Sequence, residues 1–396
     1  MTRRRAWGSA SAFRRMVYFD YNATTPPDPV VAALAAEAAA RAWANPSSIH
    51  RAGREARDVL DDARYRMARL WQCRPSEVVF TSGGTESANL AILGTARLRR
   101  DRGRHVVASS VEHHAVMHAV QHLVRNEGFE ATWLRVDSEG RVDPGDVART
   151  LRPDTILVSV MAANNEVGSL QPVADIARLC REKGVLFHTD AVQAFGKLPV
   201  GSFGLAEADL VSACAHKVHG PRGVGALRVR SPLLPQPILH GGGHENERRA
   251  GTENLPGIVG MVEAFERFTP TPVFPEAQLR ALTERLADGV LAVGGVHRRG
   301  ATRDRLPNTV AFSVEGADAI ALLANLDLAG ICASSGSACS AGSLEPSHVL
   351  AAMGVPRDQC ASLVRFSLGR ESTEAEVDRL VAAWPDTVSR ARRRSG

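Results

Sequence analysis

Short runs of β-branched and apolar residues alternate with longer helical patterns through the middle of the chain, and this alternation constrains the fold most. The predicted strands are, in order, Glu77–Thr81, His105–Ala108, Thr155–Val160, Val185–His188, Asp209–Ser212 and Val224–Val229. The predicted helices include Val30–Trp43, Ser87–Arg100, Val173–Glu182 and Glu276–Leu291. Alternation of this kind is typical of parallel strands joined by crossover helices. It predicts an α/β fold with a mostly parallel sheet, which binds ligands beyond the carboxyl ends of its strands.

The length of 396 residues favours two domains over one. A Pro- and Thr-rich stretch at residues 268–275 predicts a hinge. We therefore expect a large domain over residues 16–267, whose opening residues pack on the other domain, and a smaller α+β domain over residues 268–396. Residues 1–15 are rich in Arg, Ser and Ala and contain no acidic residue. We interpret them as a disordered basic extension rather than a transit peptide.

Several functional classes are disfavoured by composition. No apolar run is long enough to cross a bilayer, and no secretory apolar stretch is present, so we expect a cytoplasmic protein without membrane contact. The net charge of +5 comes mostly from arginine clustered at both ends. Basic ends can contact nucleic acid, but solvated tails have the same composition, and we do not expect direct nucleic-acid binding. The six cysteines form no C-x-x-C pair and no zinc-site spacing, so no metal site is predicted.

Unusual residues follow three of the predicted strands. After the first strand, two glycines and Thr85 lead into a helix, as either an anion cradle or an ordinary capped turn. After the fourth strand comes Asp190, which is either a helix cap or a carboxylate that could keep a pyridinium nitrogen protonated. After the fifth strand comes Lys217, which either reaches solvent or forms a Schiff base. The order of the three favours a cofactor site.

The motifs of the chain are, in order, TSGGTES, NNEVG, HTDAVQ, HKVHGPRG, HGGGHE with RRAGT, SSGSAC and RFSLGR. This order resembles the cysteine desulfurases, which are class V aminotransferase-like enzymes with the fold-type-I architecture for pyridoxal 5'-phosphate (PLP). The resemblance extends from Tyr18 to Arg370. It implies a PLP cofactor, L-cysteine as substrate, L-alanine as product, and a homodimer that passes persulfide sulfur to an acceptor protein. The acceptor could serve iron–sulfur assembly or another thiolation pathway.

The resemblance also implies roles for single residues. Lys217 holds the cofactor and later moves protons, Asp190 faces the pyridine nitrogen, and His113 stacks on the ring as a candidate acid–base, whereas its neighbour His114 is interpreted as a bystander. The other implied cofactor contacts are Gly84, Thr85, Asn165, Gln193 near the ring hydroxyl, Cys214, His216, and Thr252 from the partner subunit. Cys214 stands where the family usually has a hydroxyl residue, so we expect a weaker phosphate contact there and a packing role rather than a second nucleophile.

Substrate and sulfur are assigned in the same way. Arg365 matches the arginine that binds the substrate carboxylate, for which a planar guanidinium is suited, and Asn45 is a further candidate for the substrate pocket. Cys339 lies among small residues at positions 333–343, which are typical of a flexible loop. Such a cysteine alone could be incidental, but beside the cofactor motifs it is predicted to accept sulfur as a persulfide. Cys332 is interpreted as structural rather than as a relay.

Two other functions fit parts of the sequence. Selenocysteine lyase, or a related PLP enzyme, would use the same cofactor motifs, but the SSGSAC loop favours desulfuration. A non-catalytic scaffold or nucleic-acid-associated protein with this fold would be compatible with the basic ends of the chain. Such a protein has no need of Lys217, Asp190 and Cys339 together, so the desulfurase hypothesis is preferred.

Overall fold

The structure is a computed structural model that describes residues 16–336 and 345–392. Its strands are β1 Val17–Tyr18, β2 Val78–Thr81, β3 His105–Ser109, β4 Glu130–Leu134, β5 Thr155–Ser159, β6 Leu186–Asp190, β7 Leu210–Cys214, β8 Gly225–Val229, β9 Val296–Arg299, β10 Thr309–Val314, β11 Ile331–Cys332 and β12 Val364–Ser367. Its α-helices are α1 Pro29–Arg41, α2 Arg51–Leu70, α3 Gly84–Asn89, α4 Thr95–Arg99, α5 His114–Asn126, α6 Pro144–Thr150, α7 Val173–Glu182, α8 Leu255–Phe268, α9 Glu276–Leu291, α10 Ala319–Leu328, α11 His348–Ala352, α12 Arg357–Cys360 and α13 Glu374–Ala391. A π-helical turn, Leu90–Gly94, joins α3 to α4. None of these helices is both long and apolar enough to span a membrane.

A seven-stranded sheet with the order β2-β8-β7-β6-β5-β3-β4 forms the centre of the larger part of the chain. The strands from β3 to β7 pair in parallel, whereas β8 runs antiparallel to both β2 and β7. Every residue of β3, β5, β7 and β8 is buried, as expected for strands that helices cover on both faces. The mostly parallel α/β sheet predicted from the sequence is confirmed.

A second hydrophobic core lies in the C-terminal part. Its antiparallel sheet has the order β12-β10-β9, and helices α9 and α13 contribute buried residues, including Trp384, to the same apolar cluster. The short strand β1 pairs in parallel with β11, and Val17 and Phe19 lie in this cluster as well. The segment predicted as a hinge lies between the end of α8 and the start of α9. The domain boundaries themselves stay a prediction.

The elements predicted from periodicity are confirmed, with small differences at their ends. Helices α7 and α9 have the predicted bounds, and the helix predicted from Ser87 begins earlier, at Gly84. Strands β1, β4, β9, β11 and β12 were not predicted. β1 has only two residues, and β4 is an edge strand in which only Leu134 is buried, so neither carries a strong apolar pattern.

Strand direction brings the ends of β2, β6 and β7 to one edge of the sheet. Because β8 is antiparallel to both β2 and β7, those two strands point the same way. Gly225 of β8 pairs with Thr81 on one side and with Cys214 on the other, which aligns the two carboxyl ends. A Cβ atom at Gly225 would lie only 2.6 Å from the Cα atom of Gly83, so this close approach requires glycine.

Candidate active site

One cavity of about 220 Å³ opens at this edge of the sheet. The residues that line it and were predicted as site residues are Gly84, Thr85, His113, Asn165, Asp190, Gln193, Cys214, His216, Lys217 and Arg365. They come from the carboxyl ends of β6 and β7, from the segments that follow β2, β3, β5, β6 and β7, and from β12. The structure therefore brings together side chains that are separated by up to 281 positions, from Gly84 to Arg365.

The amine of Lys217 is held at the cavity wall by main-chain oxygens. Lys217 lies in a short 3-10 turn directly after β7. Its Nζ donates to the carbonyl oxygens of Asn22, at 2.6 Å, and Ala23, at 2.8 Å. These acceptors belong to the segment between β1 and α1, so the N-terminal segment positions the amine.

A buried carboxyl group, Asp190, faces the same cavity from the end of β6. Its Oδ1 accepts from the main-chain N–H of Val192 at 2.9 Å. Burial raises the pKa of Asp190 to about 6, and this effect outweighs the Val192 hydrogen bond and the charge of Lys217. A cationic ring nitrogen next to this carboxyl would favour its ionised form.

Two histidines of the cavity are neutral at physiological pH. Burial, together with the charge of Lys217, lowers the pKa of His113 to about 4 and that of His216 to about 4. The Nδ1 atom of His113 accepts from the N–H of Ala115 at 3.1 Å, so the neutral ring carries its proton on Nε2. His113 therefore offers the cavity a neutral imidazole rather than a cation.

The start of helix α3 gives the cavity an anion-binding end. The first N–H groups of a helix have no partner within that helix, and Gly84 and Thr85 supply two of them at the cavity wall. A Cβ atom at Gly84 would lie 2.9 Å from Cγ2 of Val192, so a larger residue would crowd this wall. This end of the cavity fits a phosphate group.

Arg365, on β12, is buried and also lines the cavity. It donates to Oδ1 of Asp20 at 2.7 Å and to the carbonyl oxygens of Asn165 and Gly336 at 2.7 and 3.1 Å. These three acceptors fix the plane of the guanidinium group. A fixed guanidinium at the cavity wall is suited to a carboxylate ligand.

Known proteins share both the sequence and the fold of this chain. The profile of a family described as aminotransferase class V matches residues 17–380. A cysteine desulfurase IscS of Methanosarcina thermophila is 42% identical over 387 residues, which are 98% of this chain and 95% of the relative. An IscS-like cysteine desulfurase of Mycobacterium tuberculosis is 44% identical over 386 residues, which cover 96% and 98% of the two chains. A solved NifS-like protein superposes with a TM-score of 0.87 at 36% identity, and covers 94% of this chain and 99% of its own.

This chain belongs to the cysteine desulfurases of the aminotransferase class-V family. PLP is the cofactor of this family, and the cavity fits it on independent structural grounds. The amine of Lys217, the buried carboxyl of Asp190 and the helix start at Gly84 line a single space, as a covalent anchor, a partner for a ring nitrogen and a phosphate site require.

Two predicted site residues of this desulfurase, Asn45 and Thr252, do not line the cavity of their own chain. Asn45 is exposed and its Oδ1 accepts from the N–H of Ser47. Thr252 is also exposed, and lines a separate cavity of about 80 Å³ next to the end of β2. Cys339 lies outside the described residues. The roles of these three residues therefore stay predictions, and the role of Thr252 was predicted for the partner subunit's site.

Other cavity residues were not found by sequence reasoning. Asn22 lines the cavity and supplies an acceptor for Lys217, although no role was predicted for it. His114, interpreted as a bystander, also lines the cavity, with its ring centroid 4.8 Å from that of His348. Glu166 lies beside Gly336 and accepts from the hydroxyl of Ser347 at 2.5 Å. Glu166 belongs to the NNEVG motif, so that motif could have indicated it as a site residue. The contact between His114 and His348 joins distant parts of the sequence, and no local motif could have indicated it.

Proposed function

We propose that this chain converts L-cysteine into L-alanine and carries the released sulfur on Cys339 to an acceptor protein. One observation supports this proposal above the others: the amine of Lys217, the carboxyl of Asp190 and the guanidinium of Arg365 line the same cavity. Relatives that carry the name cysteine desulfurase match almost the whole chain. The proposed acceptor belongs to iron–sulfur assembly or to another thiolation pathway.

Bound PLP supplies an electron sink for the charge that develops on the α-carbon of the substrate. Lys217 would hold the cofactor covalently and would move a proton at that α-carbon. Asp190 would pair with the ring nitrogen and keep it protonated. His113 is neutral, as its low pKa requires, and its protonated Nε2 would donate a hydrogen bond to the bound cofactor or substrate, while its predicted acid–base role stays a proposal.

Arg365 positions the substrate. We assign it to the α-carboxylate of cysteine, because its plane is fixed by Asp20 and two carbonyl oxygens. This contact leaves the amine of the substrate free to meet the cofactor and directs its sulfur to another part of the cavity. Gly336 lines that cavity and is three positions before Cys339 in the sequence.

The sulfur step balances without an external oxidant. The thiolate of Cys339 attacks the substrate sulfur, so that an S–S bond forms while the C–S bond of cysteine breaks. The carbon left behind becomes the methyl group of alanine, and Cys339 becomes a persulfide. One cysteine and one thiolate thus give one alanine and one persulfide, which the acceptor protein then collects.

We also propose that the enzyme is a homodimer. Thr252 and Asn45 are exposed and do not reach the cavity of their own chain, so they are free to complete the site of a second copy. Thr252 lies near Arg249, whose guanidinium pairs with Glu86 of helix α3 at 2.8 Å. The segment that carries Thr252 is thereby tied to the helix that begins at the anion-binding end.

The substitution Cys339→Ala tests the proposed function. We expect the variant to bind PLP with the same visible absorbance as the wild type and to release no alanine from cysteine above background. The measurement is alanine formation in the presence of a reducing thiol. Cys332→Ala is the matched control, since Cys332 is paired into β11 and is expected to keep full turnover. Undiminished alanine release by Cys339→Ala would refute the assignment.

A further inference from the structure

Lysine is rare in this chain, and each lysine lies in a different environment. Of 48 basic residues only three are lysines, at positions 183, 197 and 217. Lys183 is exposed, and Lys217 lines the cofactor cavity. Lys197 is 1% exposed and lies in neither the cavity lining nor the motifs that signalled the site. A buried lysine in a chain that otherwise uses arginine requires an explanation.

The partners of Lys197 within the described ranges are neutral. Its Nζ donates to Oδ1 of Asn22 at 2.7 Å and to Oε1 of Gln193, and lies 5.5 Å from the ring centroid of Phe274. Burial lowers the pKa of Lys197 well below its usual range, and the nearby charges of Lys217 and Arg365 act in the same direction. Placing an amine here costs free energy that a methionine would not, so stability alone does not explain the residue.

The hydrogen bond from Lys197 determines which end of the Gln193 amide faces the cavity. Nζ of Lys197 donates to Oε1 of Gln193, and the other end of the same amide faces the main-chain oxygen of Asn22, which can only accept, so the carbonyl oxygen of Gln193 must be the atom that faces Lys197. The Nε2 atom of Gln193 then donates to the main-chain oxygen of Asn22 at 3.0 Å. One N–H of this amide remains, and Gln193 lines the cavity. The cavity is therefore offered a donor rather than an acceptor.

Asn22 connects this arrangement to the cofactor lysine. Its main-chain oxygen accepts from Gln193 and from Nζ of Lys217, while its side-chain oxygen accepts from Lys197. The Nδ2 atom of Asn22 donates to the hydroxyl of Thr309 at 2.9 Å, which fixes the orientation of this side chain too. The amine of Lys197 thus contacts both Gln193 and Asn22, the residue whose main-chain oxygen accepts from Lys217.

We propose that Lys197 is a positioning residue of the cofactor site, which holds the Gln193 amide with its N–H toward the ring oxygen of PLP and holds Asn22 against Lys217. The inference rests on the proposed function, because it requires PLP in this cavity. Removing the amine frees Gln193 to turn its carbonyl toward the ring oxygen, where two acceptors would repel each other. It also weakens the contact between Asn22 and Lys217.

The substitution Lys197→Met, compared with Lys183→Met, tests this inference through binding and spectra rather than turnover. Loss of an oriented hydrogen bond should raise the dissociation constant of the apoenzyme for PLP about tenfold. The pH midpoint of the visible absorbance of the bound cofactor should move upward, since a nearby donor favours the more negative form that exists on the alkaline side. Lys183→Met should match the wild type in both measurements.

A double-mutant cycle tests whether Lys197 acts through Gln193. In a Gln193→Met background, adding Lys197→Met should raise the PLP dissociation constant by clearly less than about tenfold, because only its contact with Asn22 remains to be lost. If Lys197→Met does not fold, Lys197→Gln, which keeps an amide donor, should lie between wild type and Gln193→Met in affinity. A wild-type dissociation constant and midpoint in Lys197→Met, or a full tenfold effect in the Gln193→Met background, would overturn the inference. A wild-type protein that gives no PLP absorbance would instead overturn the proposed function.

Discussion

Burial sets the charge states of the cavity residues. It raises the pKa of Asp190 to about 6 and that of the Cys214 thiol to about 11, and it lowers the pKa of His113 to about 4. At neutral pH the imidazole is therefore uncharged and this thiol stays protonated. A protonated, fully enclosed thiol is a poor nucleophile, which supports a packing role for Cys214.

The substitution Cys214→Ser tests that role. A serine hydroxyl is a better hydrogen-bond partner than a thiol, so we expect PLP affinity to stay the same or to increase by a few-fold. Alanine release should remain within about twofold of the wild type, because the thiol takes no part in sulfur transfer. PLP titration and the alanine assay are the measurements. A loss of turnover as large as that of Cys339→Ala would show that Cys214 has been misassigned.

Sequence motifs could predict the residues that are expected to contact the cofactor, but not the residues that hold those side chains in position. Lys217 and Asp190 each follow a strand, in motifs with a characteristic order, so their convergence was predictable. Lys197 and Asn22 lie 175 positions apart, and only the folded chain joins them. No local pattern distinguishes Lys197 from an ordinary exposed lysine.

At the scale of elements, one buried histidine joins three strands of the central sheet. The Nδ1 atom of His188, on β6, lies 2.8 Å from the hydroxyl of Ser159 on β5, and its Nε2 lies 2.9 Å from that of Ser212 on β7. Burial lowers the pKa of His188 to about 3, so the ring is neutral in the folded protein. Asp190 is two residues farther along the same strand, so this contact supports the strand end that carries it.

The substitution His188→Leu should destabilise the apoenzyme and reduce its sensitivity to acid. It leaves two buried hydroxyl groups without this partner, at a cost of about 2 kcal/mol in the free energy of unfolding at pH 7.5. The folded-state pKa lies below the ordinary value of 6.5, so the unfolded chain binds more protons between the two values. Wild-type stability should therefore fall as the pH decreases from about 6.5, and the variant should lose less over the same range.

Urea unfolding at pH 7.5 and 5.5 measures this effect, with the exposed His240→Leu as control. Asp190 acts in the opposite direction, because its raised pKa stabilises the folded state at low pH, and this contribution is common to all variants. An identical pH dependence in His188→Leu and wild type would contradict the account of His188.

Strand and helix periodicity predicted the elements well where the apolar signal is continuous, as in α7 and α9. It did not predict β1, whose pairing with β11 depends on residues more than 300 positions away. Nor could periodicity show that β8 runs antiparallel between β2 and β7. The order and direction of these strands depend on how the whole chain folds. This arrangement places the carboxyl ends of β2 and β7 on the same edge of the sheet.

At the scale of the whole molecule, the site depends on both hydrophobic cores. The central sheet and the segments after its strands supply the anion-binding helix start at Gly84, Asp190 and Lys217. Strand β12, which belongs to the second core, supplies Arg365. The segment after β1 lies between them, since Asn22 contacts Lys217 on one side and Thr309 on the other. The relative positions of the residues predicted to bind cofactor and substrate are therefore fixed by contacts between segments that are far apart in the sequence.

The central claim is that this cavity holds PLP through Lys217, and reduction with borohydride followed by peptide mass mapping tests it directly. With only three lysines in the chain, the assignment of the modified residue is unambiguous. We expect reduction of the PLP-loaded protein to leave the cofactor attached to the peptide that contains Lys217, and to leave Lys183 and Lys197 unmodified. Attachment at either of those lysines, or no attachment in a protein that has been loaded with PLP, would contradict the account.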